Sequence, residues 1–453
     1  MKRISTRIAV SLILTLLLAH AAFTWVPTPG LIPFGSFSGG PFDIVNNQNL
    51  NVHFEIPVLS KAGRGLAFNY PIRYDTTVWR VNNSTWTPAA AWGWPNGAFE
   101  PTLGYVWFST VASTCTSGGQ NYNYTTYQLW NYTQPSDRGF NTPFSFTISD
   151  ASVRTPCTGQ PPYSATETAT DGSGVTISAT AQPSATIYFR DGSTLNPSLN
   201  WGGNPGTLTD SNGNQITATV PASSVLTDTL GTTAITAAGQ GTPSSPITLQ
   251  YTNAAGTTST VTLKYAAHTV QTSFGCSGIT EYPPTPVNLV SEIDLPDTTK
   301  YTFSYEPTPG APSNVTGRLA SVTLPTGGTI SYSYTGGSNG IVCADGTAAG
   351  LTRQTPDGTW TYTRSGSDPA WTTTMTDPQA NQTVLNFQGP YETERQAYKG
   401  SSGTGTLLDT VYTCYNGAAR PCNTTAITLP LTQITKTNSW ASGQTSQTVT
   451  TLN

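Results

Sequence analysis

The sequence predicts an all-β protein built from short antiparallel strands and hairpins. Three observations predict this class. Charged residues make up only 9% of the chain, and the polar remainder is largely Thr, Ser, Asn and Gly. Strand-forming Thr, Tyr, Val and Ile are abundant, while long helix-forming segments rich in Glu, Lys, Ala and Leu are missing after the N-terminus. Gly- and Asp-containing turn signals recur along the chain.

The N-terminus predicts export. Residues 1–21 have the three parts of a secretory signal peptide: a basic start, an apolar run over residues 8–18, and the small residues Ala19 and Ala21 around a cleavage site. The apolar run is too short for a confident transmembrane helix, and no later stretch approaches the ~20 apolar residues that span a bilayer. We therefore expect a secreted or cell-surface protein with no stable membrane span after signal cleavage.

The rest of the chain divides into three predicted regions: a β-region rich in Trp (22–160), a β-rich middle region (161–290) and an array of hairpins (291–453). In the first region, apolar and polar residues alternate from position 50 to 58, which predicts a half-buried strand with His53 on its solvent-facing side. In the middle region, Asp171-Gly172, Asp191-Gly192 and Asn212-Gly213 predict tight hairpin turns.

The cysteine count fits an oxidising compartment. Six cysteines follow the signal peptide, and an even number favours disulfides, although six cysteines allow 15 connectivities and the sequence alone cannot choose among them. We favour sequential pairing, above all of the last two. The six are Cys115, Cys157, Cys276, Cys343, Cys414 and Cys422. Their spacing does not suggest zinc, and no cofactor is expected.

The net charge argues against some partners. It is −4, and no basic cluster of the kind that neutralises phosphates occurs in the sequence. Nucleic acid and anionic membrane surfaces are therefore poor candidates.

The third region contains an internal repeat. A Pro-containing turn is followed by aromatic residues at alternate positions, which project to one face of a strand. Pro296 opens one unit and Pro325, 29 positions later, opens a second that matches it residue for residue. A looser copy follows Pro356, with a turn one residue shorter, and a fourth follows Pro378. Such units bury one another's apolar faces when they stack. The repeat aromatics are Tyr301, Phe303, Tyr305, Tyr332, Tyr334, Trp360 and Tyr362.

Residues 317–334, GRLASVTLPTGGTISYSY, resemble the YD repeat of Rhs-type proteins, with its G-R-L-x-x-V, turn and Y-x-Y parts. The Tyr-Asp pair of that repeat is replaced by Tyr305-Glu306 and Tyr334-Thr335. Residues 66–75, which end in RYD, are similar to the segment by which Rhs proteins begin their repeats. The resemblance covers residues 290–390 and extends more weakly to 45–80 and 205–235.

The resemblance implies the N-terminal part of a bacterial Rhs-like protein, with stacked YD-type hairpins forming part of a spiralling sheet. In that family, long arrays form a hollow β-shell that encloses a toxin, or an extracellular stalk. The implied function is structural and non-catalytic, and the implied partner is a downstream toxin or effector segment.

Two other functions remain open from the residues. The first is a carbohydrate-binding adhesin whose partners are cell-surface glycans, because five tryptophans occur between positions 79 and 107 and flat rings stack on sugars. Trp92 and Trp94 are the candidate stacking residues, although their spacing favours a role in the core.

The second alternative is a glycosidase, which needs two carboxylates. The candidates are Glu281, Glu292, Asp294, Glu392 and Glu394. Nothing in the sequence brings two of them to the required separation, so we name no catalytic residues.

Overall fold

The computed structural model describes residues 30–94, 103–133, 141–151, 156–200, 206–218 and 225–452. The predicted signal peptide, 1–21, lies outside these ranges. Within them the chain forms β-strands, turns and a single 3-10 helix, Ala90–Gly93. The predicted all-β class is therefore confirmed.

The first part of the chain, residues 30–94, is called the N-terminal segment below. It forms a four-stranded antiparallel sheet in the order β1-β2-β3-β4, followed by the hairpin β5–β6. The strands are β1 (Phe37–Gly39), β2 (Asp43–Asn46), β3 (Val52–Lys61), β4 (Phe68–Asp75), β5 (Trp79–Asn82) and β6 (Thr85–Pro88).

The next part is a long hairpin with two short additions. The strands β7 and β8 pair antiparallel over most of their length, and β9 and β10 both pair with β8. The strands are β7 (Tyr105–Ser117), β8 (Gln120–Thr133), β9 (Asn141–Pro143) and β10 (Ile148–Ser149). Phe108 and Trp130 of this sheet pack in one apolar core with Ile177 and Ile187 of the sheet that follows.

The remaining strands, with one exception, form a single 22-stranded sheet in which each strand pairs antiparallel with its neighbours in sequence. Its first half and the exception, β15, are β11 (Ser164–Thr168), β12 (Thr176–Thr180), β13 (Ser184–Tyr188), β14 (Thr194–Asn196), β15 (Ser198–Leu199), β16 (Gly206–Thr209), β17 (Gln215–Ala218), β18 (Val225–Thr227), β19 (Thr233–Ala238), β20 (Ile247–Thr252) and β21 (Thr258–Val270). The short β15 leaves the order and pairs parallel with β7.

The second half of this sheet contains the predicted repeats. Its strands are β22 (Thr285–Asp294), β23 (Lys300–Thr308), β24 (Ala311–Thr323), β25 (Thr329–Tyr334), β26 (Gly350–Thr355), β27 (Gly358–Ser367), β28 (Ala370–Thr376), β29 (Gln382–Gln388), β30 (Tyr391–Lys399), β31 (Thr406–Tyr415), β32 (Gln433–Trp440) and β33 (Thr445–Thr451). The sheet runs through the boundary predicted at 290/291, which falls inside β22.

Eight hairpins of the large sheet share one three-residue loop. In the first repeat, the Leu295 N–H donates to the Thr299 carbonyl and the Thr298 N–H donates back to Leu295; in the second, Leu324, Gly328 and Gly327 make the same bonds. The last loop residue has positive φ in all eight, as a type I turn followed by a left-handed residue requires. These residues are Gly192, Gly213, Gly231, Gly256, Thr298, Gly327, Ala380 and Gly443.

The looser third copy differs in the way its sequence predicts. Thr355 pairs directly with Gly358, so its loop has only the two residues Pro356 and Asp357.

The beginning and the end of the large sheet meet. A Cβ placed at Gly172, in the β11–β12 turn, would lie 3.1 Å from carbon atoms of both Leu431 and Leu452, which flank the last two strands. Phe34 of the N-terminal segment would lie 3.2 Å from the same point. The sheet thus winds until its first hairpin contacts its last.

The N-terminal segment and the large sheet share the main apolar core, which contains Val52, Phe54 and Ile56 together with Leu263, Ile293 and Val322. The prediction that His53 faces solvent is wrong. His53 is 2% exposed, and its Nδ1 lies 3.1 Å from Oδ1 of Asp75. Alternating apolar and polar residues show that a strand has two faces. The pattern does not show that other parts of the protein cover both faces.

Candidate functional site

The N-terminal segment covers one face of the large sheet from β17 to β30. At one limit, Lys61 pairs with Asp228 in the β18–β19 turn, and a Cβ at Gly65 would touch Asp210 in the β16–β17 turn. At the other limit, Arg395 of β30 donates to Ser36. This face of the sheet is therefore covered by the chain's own N-terminal segment. The packed interior between the sheet and the segment is the candidate functional site.

The repeat aromatics of β23 face this interior. Tyr301, Phe303 and Tyr305 alternate with polar residues, and Phe303 and Tyr305 are buried. Phe42 stacks on Tyr301 with ring centroids 5.7 Å apart. Phe54 stacks on Phe303 at 6.2 Å. The alternation predicted from the sequence thus projects three rings onto the N-terminal segment.

The aromatics of the later copies lie on the same face. The Tyr332 hydroxyl donates to Asp43 Oδ2 at 2.9 Å, and Ser38 Oγ lies 3.2 Å from the Tyr362 hydroxyl. Tyr334 is half-buried and donates to the Leu319 carbonyl. Trp360 is half-buried beneath the Arg353 guanidinium, 5.2 Å from its ring centroid.

The candidate glycan-stacking residues belong to the core. Trp94 is 1% exposed, its Nε1 donates to the Tyr305 hydroxyl, and its ring centroid lies 5.0 Å from that of Phe303. Trp94 therefore has no face open to a sugar, which corrects that assignment. Trp92 is half-buried, with its ring edge against Trp79 at 5.5 Å. These tryptophans fix the N-terminal segment to the sheet.

A buried ion pair ties the N-terminal segment to the repeats. Asp43 accepts from Nε of Arg353 at 2.6 Å and from Nη2 at 2.5 Å. Both side chains are almost fully buried, and burial raises the pKa of Tyr332, the third member of the group. A buried charge that loses its partner is strongly destabilising, so each group depends on the others.

A second buried group lies within the N-terminal segment. Asp75 Oδ1 accepts from the Gly30 N–H at 2.9 Å and from Asn51 Nδ2 at 2.5 Å, and it contacts His53. Burial alone would lower the pKa of His53, but the charge of Asp75 and the hydrogen bond to it, with help from Glu55, raise that pKa to about 10. His53 is therefore a buried cation near neutral pH.

Glu306, which follows the aromatic residues of the first repeat, has a defined role. Glu306 holds Arg318, of the Gly317-Arg318-Leu319 sequence, through two bonds of 2.7 and 2.9 Å. Nη1 of Arg318 also donates to the Gly340 carbonyl. The two sequence elements that carry the resemblance are thus joined in space.

The three disulfides follow the sequential order that we favoured. Cys115 pairs with Cys157, Cys276 with Cys343, and Cys414 with Cys422. They are consistent with an extracellular protein.

The candidate catalytic carboxylates are held by other groups. Lys264 lies 2.6 Å from Glu292 and 2.7 Å from Asp294 on an open groove, and the bonds from Lys264 and Lys300 lower the pKa of Glu292 to about 2. A general acid for glycoside hydrolysis needs a raised pKa, so Glu292 is unsuited to that role.

The other three carboxylates have partners too. Glu392 pairs with Arg395, Glu394 accepts from Asn386 and Asn423, and Glu281 accepts from the Gly275 N–H.

Sequence reasoning did not single out Trp107, which is one of several exposed aromatic residues in the described part of the chain. Trp107 of β7 is 43% exposed, and on the same hairpin Leu129 is 60% and Val111 42% exposed. The alternation of Val106, Trp107 and Phe108, with only the middle one outward, is the signal that could have found it.

Among the residues that the structure describes, no group of His, Cys, Asp and Glu is placed to hold a metal ion, and no helix is long and apolar enough to cross a membrane. Comparison with known proteins finds no matching family model and no matching curated protein.

Proposed function

We propose that this chain is a secreted or cell-surface structural protein of the Rhs type, whose repeats form the wall of a filled β-shell. The observation that supports this function best is the single apolar core that residues 30–94 form with β17–β27, to which hydrogen bonds from Thr373 of β28 and Arg395 of β30 add. Aromatic residues that a binding module would expose here pack between the large sheet and the N-terminal segment.

The distribution of charge supports a non-catalytic role. Two ion pairs, Asp43 with Arg353 and Glu306 with Arg318, lie in the packed interior, where they join strands and segments. The carboxylates on the open groove are neutralised by lysines. In this proposal the shell belongs to an exported assembly that also contains a downstream toxin or effector segment.

Genetic complementation tests the structural role. A strain that lacks the gene should lose an extracellular layer or assembly visible by electron microscopy, and the wild-type chain should restore it. Trp94→Ala, which removes interior packing, should fail to restore it. The control pair Glu292→Gln and Asp294→Asn leaves the interior intact and should restore it fully. If the two carboxylate variants fail while Trp94→Ala succeeds, the function is chemical and the proposal is wrong.

One observation favours a second candidate, a carbohydrate-binding adhesin. Trp107, Leu129 and Val111 are all exposed on the β7–β8 hairpin, so an aromatic ring and apolar side chains are open to a ligand there. Glycan arrays should then show binding that Trp107→Ala abolishes. Trp440→Ala, which removes a ring of similar exposure (41%) elsewhere, is the matched control. Equal binding by both variants would contradict the adhesin.

A further inference from the structure

Three arginines of the large sheet hold a carboxylate in the same way. Arg318 uses its Nε and Nη2 atoms to hold Glu306 at 2.7 and 2.9 Å. Arg353 uses the same edge for Asp43, and Arg395 uses it for Glu392 at 2.9 and 2.7 Å. This two-bond arrangement is the preferred geometry between a guanidinium and a carboxylate.

Arg364 of β27 has the same surroundings but lacks the carboxylate. Its guanidinium lies 3.8 Å from the ring centroid of Trp371, just as Arg318 lies over Tyr334 at 4.1 Å. Its Nη1 donates to Thr347 Oγ1 at 2.6 Å and to the Ala348 carbonyl at 3.2 Å. Its Nε and Nη2, the edge that the other three arginines use, are shielded from solvent and have no hydrogen-bond partner.

The unpaired edge is unfavourable for a cation in this environment. Burial lowers the pKa of Arg364 to about 10, so the guanidinium remains charged near neutral pH with two donors unsatisfied. Asp345 is the acid whose charge acts on it, but Oδ1 of Asp345 already accepts from the Thr347 N–H at 2.9 Å and from Thr347 Oγ1 at 2.7 Å. The arginine is thus held in place, and none of the described residues fills the edge.

We propose that the Nε–Nη2 edge of Arg364 is a binding site for a carboxylate supplied from outside the described chain. Asp43 shows the principle, because a carboxylate on a packed segment fills the edge of Arg353. Residues 365–370, which follow Arg364, are all exposed, so Arg364 stands at the beginning of a surface hairpin. The ligand is either a small carboxylate ion or the acidic side chain of a peptide partner.

Nuclear magnetic resonance of the arginine Nε–H groups tests this site in the full chain. The Arg364 signal is assigned by its loss in Arg364→Lys, which keeps the charge but removes the two-donor edge. If that variant does not fold, Trp371→Tyr assigns the signal through the changed ring above it. Sodium acetate is then titrated against sodium chloride at equal ionic strength. In a second titration, the capped peptide acetyl-Gly-Glu-Gly-amide is compared with the analogue in which Gln replaces Glu.

The Arg364 signal should move to lower field and saturate with acetate or with the Glu peptide, and stay in place with chloride and the Gln peptide. Saturation with acetate identifies a site for carboxylates in general, and saturation with the peptide alone identifies a peptide partner. The Arg353 signal, whose edge Asp43 fills, should not move. No saturable movement of the Arg364 signal with either probe, or equal movement with chloride, overturns the proposal.

Discussion

Two parts of the large sheet, β17–β30 and its outer end at β33, have the same backbone architecture but very different burial. In the first, Phe303, Tyr305, Tyr332 and Tyr362 are buried beneath the N-terminal segment. In the second, every residue of β33 is exposed. The hairpin pairing continues through both, so the sheet forms whether or not a face is covered. Hairpin pairing therefore determines the strand order of the whole sheet, whereas packing of the N-terminal segment gives β17–β30 a buried core.

A matched pair of tryptophans gives the sharpest test of this difference. Trp94→Ala should lower the free energy of unfolding by about 3–5 kcal/mol, because it empties a buried site between Tyr74, Phe303 and Tyr305. Trp440→Ala, at the end of β32, should cost less than about 1 kcal/mol because that ring is 41% exposed. Urea unfolding monitored by circular dichroism measures both. Equal losses would mean that the two parts are equally packed.

Two disulfides, one in the covered part and one near the end of the sheet, should differ in how much they restrict the unfolded chain. Cys276–Cys343 in the covered part closes a loop of 67 residues, and Cys414–Cys422 near the end closes one of 8. Replacing each pair by Ala should cost about 4 kcal/mol for the first and about 2.5 kcal/mol for the second, if restriction of the unfolded chain dominates. Denaturant midpoints of the two double variants give the order. A larger loss for the short loop would show that native-state contacts dominate instead.

The pH dependence of stability tests the buried His53–Asp75 pair of the N-terminal segment. The pKa of His53 is raised to about 10 in the folded state, so the stability it contributes is fully present below about pH 6.5 and is lost as the pH rises through about 10. Between pH 6.5 and 9 the free energy of unfolding should fall by about 3 kcal/mol in the wild-type chain. His53→Gln should be less stable at pH 6.5 and show a flatter profile over this range. An unchanged slope in that variant would place the titration elsewhere.

The two matching repeats provide the smallest expected effect. Thr298 and Gly327 occupy the same loop position, with φ of 73° and 86°, and a β-branched residue is strained there. Thr298→Gly should therefore stabilise the protein by about 0.5–1 kcal/mol, while Gly327→Thr should destabilise it by about 1–2 kcal/mol. No atom lies within 4 Å of a Cβ placed at Gly327, so the stability lost in Gly327→Thr measures backbone strain without a side-chain clash. Thermal unfolding of both variants checks the opposite signs.

Local features of the fold were predictable from the sequence. The all-β class, the positive φ at Gly192 and Gly213, and the shorter loop at Pro356-Asp357 all follow from residues that lie next to one another. The YD-repeat assignment itself stays a prediction.

Long-range features were not predictable. The partner of Arg353, Asp43, is 310 residues away, and the contacts that bury Trp94 and His53 come from other parts of the fold. The alternation of a strand reveals its two faces, but the segment that covers a face is determined by the whole chain. Arg364 illustrates the same point, since no local pattern distinguishes it from Arg353.

The contact between the first and last hairpins of the large sheet constrains how the molecule assembles. Gly172 and Leu452 are about 280 residues apart in the chain, so this junction has very high contact order and forms only after the last strands have emerged. While the sheet grows, each newly added strand is an unpaired edge, which is prone to aggregation. A chaperone therefore has its greatest value before the last strands are in place.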